Sequence, residues 1–149
     1  MGRTTAIVSA ALAAWMTGAG CSGDQDTIPE LKAATQEYAQ RVARMDHAGI
    51  AAMFEPDGSM GESGHPPTVG RDSIDHFLAS FSQYLVLAEI MTADSVTVNH
   101  DRGVVVGTYR QRVRLPNASV VEVHGAYRAQ WERGAGRRWL IRSLSTSSG

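Results

Sequence analysis

The sequence predicts an α+β domain in which helices come first and a largely antiparallel sheet follows. Two observations carry this prediction. Up to residue 81 the apolar residues recur at helical spacing, and from Tyr84 onward they alternate with a period of two. Turn residues divide the second part into four long strands. Because long strands twist strongly, we expect the sheet to curl around the helices and to enclose a pocket.

Composition narrows the class of protein. The chain has 149 residues, which suits a single domain, and 43% hydrophobic with 19% charged residues is typical of a globular protein. The net charge of -1 gives no electrostatic reason to expect nucleic acid as a partner. The single cysteine, Cys21, excludes an intramolecular disulfide and a cysteine-based zinc site. The histidines lack metal-ligand spacing, and we expect no metal and no cofactor.

Residues 1–20 are predicted to be a secretory signal peptide. A basic residue, an apolar run from Ala6 to Met16 and a stretch of small residues precede Cys21. The ending resembles a bacterial lipobox, which implies that Cys21 is acylated and that the protein is exported and anchored at the cell envelope. The alternative is an ordinary signal peptide cleaved nearby. Residues 21–26 are then a polar tether, and residues 27–149 form the domain.

Helix signals fill the first half of this domain. Thr27, with a proline two residues on and a glutamate three residues on, is the predicted cap of the first helix. Asp46 is the predicted cap of a short second helix, and Asp72 that of a third. Between the last two we expect a short strand over residues 58–63, followed by a loop that contains two prolines.

Four strands are predicted in the second half. In the third of them Val121, Val123, Tyr127 and Trp131 share one face, while charged and polar residues share the other. We therefore expect the helices to cover one face of an antiparallel meander. The predicted strands lie near 85–99, 103–115, 119–133 and 137–146.

Three stretches carry a resemblance to a known superfamily. They are Tyr38 to Phe54 (YAQRVARMDHAGIAAMF), the helix entry from Val69 to Ile74 (VGRDSI), and Trp131 to Ile141. Together with the order of the elements, they resemble the nuclear transport factor 2-like superfamily, including its SnoaL-like and ketosteroid isomerase branches. The resemblance implies a cone of curved sheet and helices around a pocket. It implies no single function, because this fold supports many.

The same resemblance suggests two catalytic residues. Tyr38 matches the tyrosine that ketosteroid isomerases use as a hydrogen-bond donor, and Glu62 matches their carboxylate general base. The alternatives are a core tyrosine and a solvated loop carboxylate. The third element of that site, a protonated aspartate, has no counterpart, since Tyr127 or Arg128 stands in its neighbourhood.

Apolar and aromatic residues are the expected lining of the pocket, and they favour an apolar or aromatic ligand over a sugar or nucleotide. The leading hypothesis is therefore a domain that binds a small apolar molecule. The second is a cofactor-independent isomerase, cyclase or hydratase that uses Glu62 and Tyr38. The expected lining residues are Met53, Phe54, Met60, His65, Phe77, Tyr109, Tyr127 and Trp131.

A third hypothesis concerns the outer face of the sheet. Arg110, Arg112 and Arg114 alternate along one strand face. This face is an expected interface, either between two copies in a homodimer, as the resemblance implies, or with an envelope partner. The alternative is a solvated face whose arginines pair with Glu122 and Glu132 across strands.

Overall fold

The computed structural model describes residues 22–149, with side chains from residue 27 onward. The predicted signal peptide and Cys21 lie outside the described residues. The prediction of an α+β fold is confirmed. The elements in chain order are α1 (Ser22–Ala43), α2 (His47–Ala52), β1 (Phe54–Glu62), β2 (Thr68–Val69), α3 (Arg71–Ala79), β3 (Leu85–Asn99), β4 (Arg102–Arg114), β5 (Val120–Arg133) and β6 (Trp139–Ser148).

The strands form one mixed sheet of six strands in the order β2-β1-β6-β5-β4-β3. β3 to β6 pair as the predicted antiparallel meander, and β1 joins its edge parallel to β6. The β3–β4 ladder shifts register between Val86 and Ala88 and again between Ala93 and Ser95. Such irregularities increase the local twist, so the long strands curl around α1, which packs against β3.

Helix starts agree with the sequence prediction in one case out of three. Asp46 caps α2 as predicted, because its side chain accepts a hydrogen bond from the Gly49 amide at 3.0 Å. The predicted cap at Thr27 is wrong, since α1 begins at Ser22 and Thr27 is buried within it. The predicted cap at Asp72 is also wrong. Gly70, with a φ of 91°, precedes α3 and leaves Asp72 in the first turn.

The strand predicted over residues 58–63 begins earlier, at Phe54, and runs through Pro56. Proline cannot donate to a sheet ladder, and the register of β1 against β6 shifts between Phe54 and Ser59 at this point. A charged contact helps to hold the segment, because the Arg71 Nε donates to the Phe54 carbonyl at 2.6 Å. Sequence alone placed a break where tertiary contacts sustain a strand.

One end of the cone, which we call the narrow end, is filled by side chains. Leu31 of α1 lies directly over Gly103, where a Cβ atom would collide with the leucine side chain. Trp131 and Trp139 are buried beside it. Arg133 caps the end, with its guanidinium 4.9 Å from the centre of the Trp139 ring and its Nη1 3.5 Å from the Glu30 carboxylate. The narrow end is therefore closed.

The other end, which we call the wide end, is open. It lies where α1 ends and where β3 and β5 begin, and several large apolar side chains remain exposed there. Phe77 is 42% exposed and Phe81 is 45% exposed. Among the described residues, no helix has the length and apolar character needed to cross a membrane.

Candidate functional site

A cavity of about 520 Å³ opens at the wide end between the helices and the inner face of the sheet. Its volume falls within the range of small-molecule sites. Its wall is mainly apolar and comes from both halves of the chain. The lining residues are Tyr38, Val42, Met45, His47, Ile50, Phe77, Leu78, Phe81, Tyr84, Val86, Gln111, Val113, Leu115, Val121 and Val123.

The cavity exists because the sheet presents short side chains here. Val113 and Val121 pair directly across β4 and β5, and both line the cavity. In the same sheet, nearer the narrow end, Tyr127 and Trp131 fill the corresponding space and are 2% exposed. Valine is too short to reach the helices that cover the sheet, so a gap remains between the two layers.

Glu89 is the acidic group beside this cavity. It pairs with Gln111 in the β3–β4 ladder and lies on the same inner face as the buried Met91, two residues along the strand. The side chain of Gln111 hydrogen-bonds the carboxylate, yet the buried Oε2 atom of Glu89 has no hydrogen-bond partner. Burial raises the pKa of Glu89 to about 7, against the opposing effect of Gln111.

Tyr38 lies in the cavity wall, as its predicted role requires. It is 8% exposed, and its ring meets that of Phe54 edge-to-face with centroids 6.5 Å apart. Burial, with the nearby charge of Glu89, raises the pKa of Tyr38 well above its ordinary value. The phenol therefore stays neutral at every physiological pH and is available as a hydrogen-bond donor.

Glu62 lies at the end of β1, where it is exposed and absent from the wall of the cavity. Its Oε1 accepts a hydrogen bond from the Ser148 hydroxyl at 2.8 Å. Burial raises the pKa of the nearby Tyr109, and the charges of Glu62 and Glu89 raise it further, while a hydrogen bond with Ser148 opposes this effect. Glu62 is therefore outside the cavity that Tyr38 lines, and its catalytic role stays a prediction.

Of the eight expected lining residues, Phe77 alone lines this cavity. Met53, Phe54, Tyr127 and Trp131 are buried in the core, and Met60 packs against it. The Tyr127 hydroxyl donates to the Thr92 carbonyl at 3.1 Å, which satisfies it inside the fold. The two remaining residues lie elsewhere. His65 is exposed in the loop after β1, and Tyr109 is half-buried on β4, two residues before Gln111.

Sequence reasoning missed Glu89 and Gln111. The signal for Glu89 was present, since it is the one charged residue in the stretch LVLAEIM. With a period of two, it shares a face with Met91 and Ala93, so the pattern places a carboxyl group on an apolar sheet face. No local pattern distinguishes Gln111, which stands between two exposed arginines, from an ordinary surface residue.

The outer sheet face carries the predicted arginines. Arg110 pairs with Glu122 at 3.3 Å, and Arg110, Arg112 and Arg114 are all exposed. Ile90 on the same face is 59% exposed. The homodimer expected at this face stays a prediction. Within residues 22–149 no group of three His, Cys, Asp or Glu side chains is arranged to hold a metal ion.

The chemistry available at the wide end follows from these groups. An apolar wall can exclude water, the neutral Tyr38 phenol can donate a hydrogen bond, and the Glu89 carboxyl group, with its raised pKa, can accept one or exchange a proton. None of the described lining residues is a lysine or an arginine. The site is thus suited to a small, mainly apolar molecule with one polar group.

Several solved structures share this fold. A ketosteroid isomerase-like protein from Erwinia carotovora atroseptica is 18% identical with a TM-score of 0.75, over 83% of this chain and 96% of that one. A Catenulispora acidiphila protein solved in complex with S-DNPA is 16% identical with a TM-score of 0.72, over 83% and 94%. An NTF2-like protein with a cystatin-like fold from Novosphingobium aromaticivorans is 18% identical with a TM-score of 0.64, over 84% and 81%.

At such identities these structures show a common fold alone. No curated protein sequence matches the chain. A family does match it by sequence: the SnoaL-like domain profile aligns with residues 24–145, which include β1 to β5, most of β6 and nearly all of α1. The chain therefore belongs to the SnoaL-like domain family and has the nuclear transport factor 2-like fold.

Proposed function

We propose that this domain binds a small, mainly apolar molecule in the cavity at the wide end. The observation that carries the proposal is the cavity itself, about 520 Å³ with walls of valine, leucine, phenylalanine and methionine. An exposed apolar cavity costs free energy in water, and a ligand that fills it regains that free energy. The Catenulispora acidiphila protein of the same fold was solved in complex with S-DNPA, which supports the proposal by analogy.

The two ends of such a ligand meet different surroundings. Its apolar body lies against Phe77 and Phe81 and against the valines of β4 and β5. The two phenylalanine rings have centroids 5.1 Å apart and an interplanar angle of 78°. Its polar group lies at the floor, where Tyr38 and Gln111 belong to the cavity wall and Glu89 lies beside them. This arrangement orients the ligand with its polar group inward.

The experiment uses phenylbutanol as a neutral probe and isothermal titration calorimetry. We expect binding by the unmodified protein and its loss in Val123→Trp, where the indole fills the cavity. Val106→Trp is the matched control, because Val106 lies outside the cavity wall and is 39% exposed. Equal affinities in the two variants would place the probe elsewhere and contradict the proposal.

One observation favours a second candidate, acid–base catalysis without a cofactor. Glu89, with a pKa of about 7, lies close enough to Tyr38 for its charge to act on the phenol. A base and a neutral donor in one apolar cavity suit proton transfer next to a carbonyl group, with Glu89 rather than Glu62 as the base.

Deuterium incorporation into phenylbutanone in D2O, followed by NMR, tests this candidate. We expect exchange above the buffer rate, and its loss in Glu89→Gln but not in Glu62→Gln. Binding of the ketone without enhanced exchange would contradict acid–base catalysis and support binding alone.

The predicted anchor at Cys21 is a separate proposal. The sequence before Ser22 supports it. Within the domain, α1 passes Glu30 at the narrow end before it reaches Tyr38 in the cavity wall. A lipid at Cys21 would therefore hold the narrow end toward a membrane and leave the cavity open to water. Mass spectrometry of the native N-terminal peptide tests acylation, and an unmodified N-terminus at another residue would refute it.

A further inference from the structure

We infer that the cavity selects a protonated amine with an apolar body, and that the ammonium group pairs with Glu89 at the cavity floor. This inference rests on the proposed function, since it requires a ligand in the same cavity. It goes further by assigning the charge and the chemical class of the polar group.

The first argument is the unpaired oxygen of Glu89. Its Oε2 atom is buried and has no hydrogen-bond partner, while the side chain of Gln111 hydrogen-bonds the same carboxylate. A buried acceptor without a donor is costly, and a charged donor compensates it best. An ammonium group supplies three N–H donors, so it can bond Oε2 and still reach the Gln111 carbonyl.

The second argument is the charge of the surroundings. No described lining residue is a lysine or an arginine, so the protein offers Glu89 no permanent cationic partner in the cavity. The nearby Tyr109 and Tyr38 remain neutral, because burial raises the pKa of each. A carboxylate in this setting attracts a cation and repels an anion.

The third argument is access. Tyr38 and Gln111 line the cavity, and both interact with Glu89. Glu89 itself lies behind the cavity wall, so in the proposed complex the ammonium group sits between Tyr38 and Gln111 to meet the carboxylate. The apolar part of the ligand then extends toward Phe77 and Phe81 at the exposed mouth.

A ligand with a neutral hydroxyl or carbonyl group should show a different pH dependence of binding. A carbonyl that accepts its hydrogen bond from Glu89 itself, rather than from Tyr38, would require Glu89 in its protonated form, whereas an ammonium group stabilises the ionised form and moves its pKa below the value of about 7. Amine binding therefore strengthens as the pH rises through this range, and carbonyl binding weakens.

Other groups that titrate or carry polarity near Glu89 must be controlled. Among the described lining residues, His47 is the side chain that can carry a positive charge. The uncharged variant His47→Gln therefore controls for its effect on amine binding. The groups facing Glu89 or sharing its cavity are Tyr38 from α1, His47 from α2, Tyr84 from the segment before β3, and Tyr109 and Gln111 from β4.

The experiment compares three probes that share one apolar body: phenylbutylamine, phenylbutanol and phenylbutyrate. We expect the amine to bind at least about tenfold more tightly than the alcohol, and the carboxylate most weakly. Glu89→Gln should remove the preference for the amine, so that the ratio of the amine and alcohol affinities in this variant falls to about one. His47→Gln should preserve the preference for the amine.

Each outcome decides one claim. An alcohol that binds as tightly as the amine, or a preference that survives Glu89→Gln, overturns the amine assignment while the proposed binding function stands. Binding of the carboxylate in preference to the other two would also overturn it. If none of the probes binds, the proposed function fails and the amine assignment fails with it.

Discussion

The two ends of the cone are built from the same strands and differ in what the side chains do. At the narrow end Leu31 packs onto Gly103, and Trp131 fills the space between sheet and helix. At the wide end Val113 and Val121 leave a cavity of about 520 Å³. The comparison shows that side-chain volume decides whether the space between sheet and helices is filled as core or left as a cavity.

Truncation of the buried Trp131 at the narrow end should have the largest effect on the free energy of unfolding. We expect Trp131→Ala to lower the free energy of unfolding by about 3–5 kcal/mol, because a large buried side chain leaves a cavity. Denaturant titration followed by circular dichroism measures it. Val123→Ala at the wide end is the control and should cost about 1 kcal/mol or less, since Val123 is 37% exposed.

A second comparison refines this result. Trp131→Phe should cost less than Trp131→Ala, because it keeps most of the ring and removes a buried Nε1 that lacks a hydrogen-bond partner. Equal losses in Trp131→Ala and Val123→Ala would contradict the distinction between the two ends.

Neutralising Glu89 should stabilise the protein, because its charge is buried at the wide end. The pKa of Glu89 is about 7 in the folded protein and 4.5 as a model value for the unfolded chain. Between these pH values the folded state holds more protons, so its stability falls as the pH rises. We expect Glu89→Gln to add about 1–3 kcal/mol to the free energy of unfolding above pH 7 and little near pH 4.5.

Urea denaturation at those two pH values measures the effect. Glu62→Gln, on the exposed end of β1, is the control and should change stability by less than about 0.5 kcal/mol at either pH. A loss of stability in Glu89→Gln above neutral pH would show that the carboxylate is already paired.

Arg133 tests whether the narrow end depends on its charged cap. We expect Arg133→Gln to cost about 1–2 kcal/mol, because it removes a guanidinium 4.9 Å from the Trp139 ring and its pairs with Asp101 and Glu30. The side chain of Arg133 is 10% exposed, whereas that of Arg142, paired with Glu55, is 51% exposed. Arg142→Gln should therefore change thermal stability less, and the reverse order would refute this assignment.

Phe77 should contribute to ligand affinity and little to the free energy of unfolding. We expect Phe77→Ala to lower the free energy of unfolding by about 1 kcal/mol or less, since the ring is 42% exposed. The affinity for phenylbutanol should fall by about three- to tenfold, because the ring belongs to the cavity wall. Calorimetry and thermal denaturation measure the two quantities. A large loss of stability with unchanged affinity would make Phe77 a core residue.

Individual residues show how far the site could be predicted. Tyr38 was predicted as a hydrogen-bond donor from helical spacing and a family resemblance, and the structure places it in the cavity wall, while that catalytic role stays a prediction. Glu89 was missed although its place in an apolar strand was visible. Trp131 and Tyr127 were expected at the pocket and lie in the core. Alternation assigns a residue to a face of the sheet, but it does not give the distance to the opposite layer.

The sequence by itself determined the order of helices and strands, the α2 cap at Asp46 and the inner face of the sheet, since these depend on local hydrogen bonding and on periodicity. The tertiary structure alone decided that β1 joins β6 in parallel, that Gly103 admits Leu31, and that an opening remains beside Glu89. These features depend on contacts between residues far apart in the chain. How closely two layers approach is set by the summed volumes of side chains from several elements, which no single segment of sequence contains.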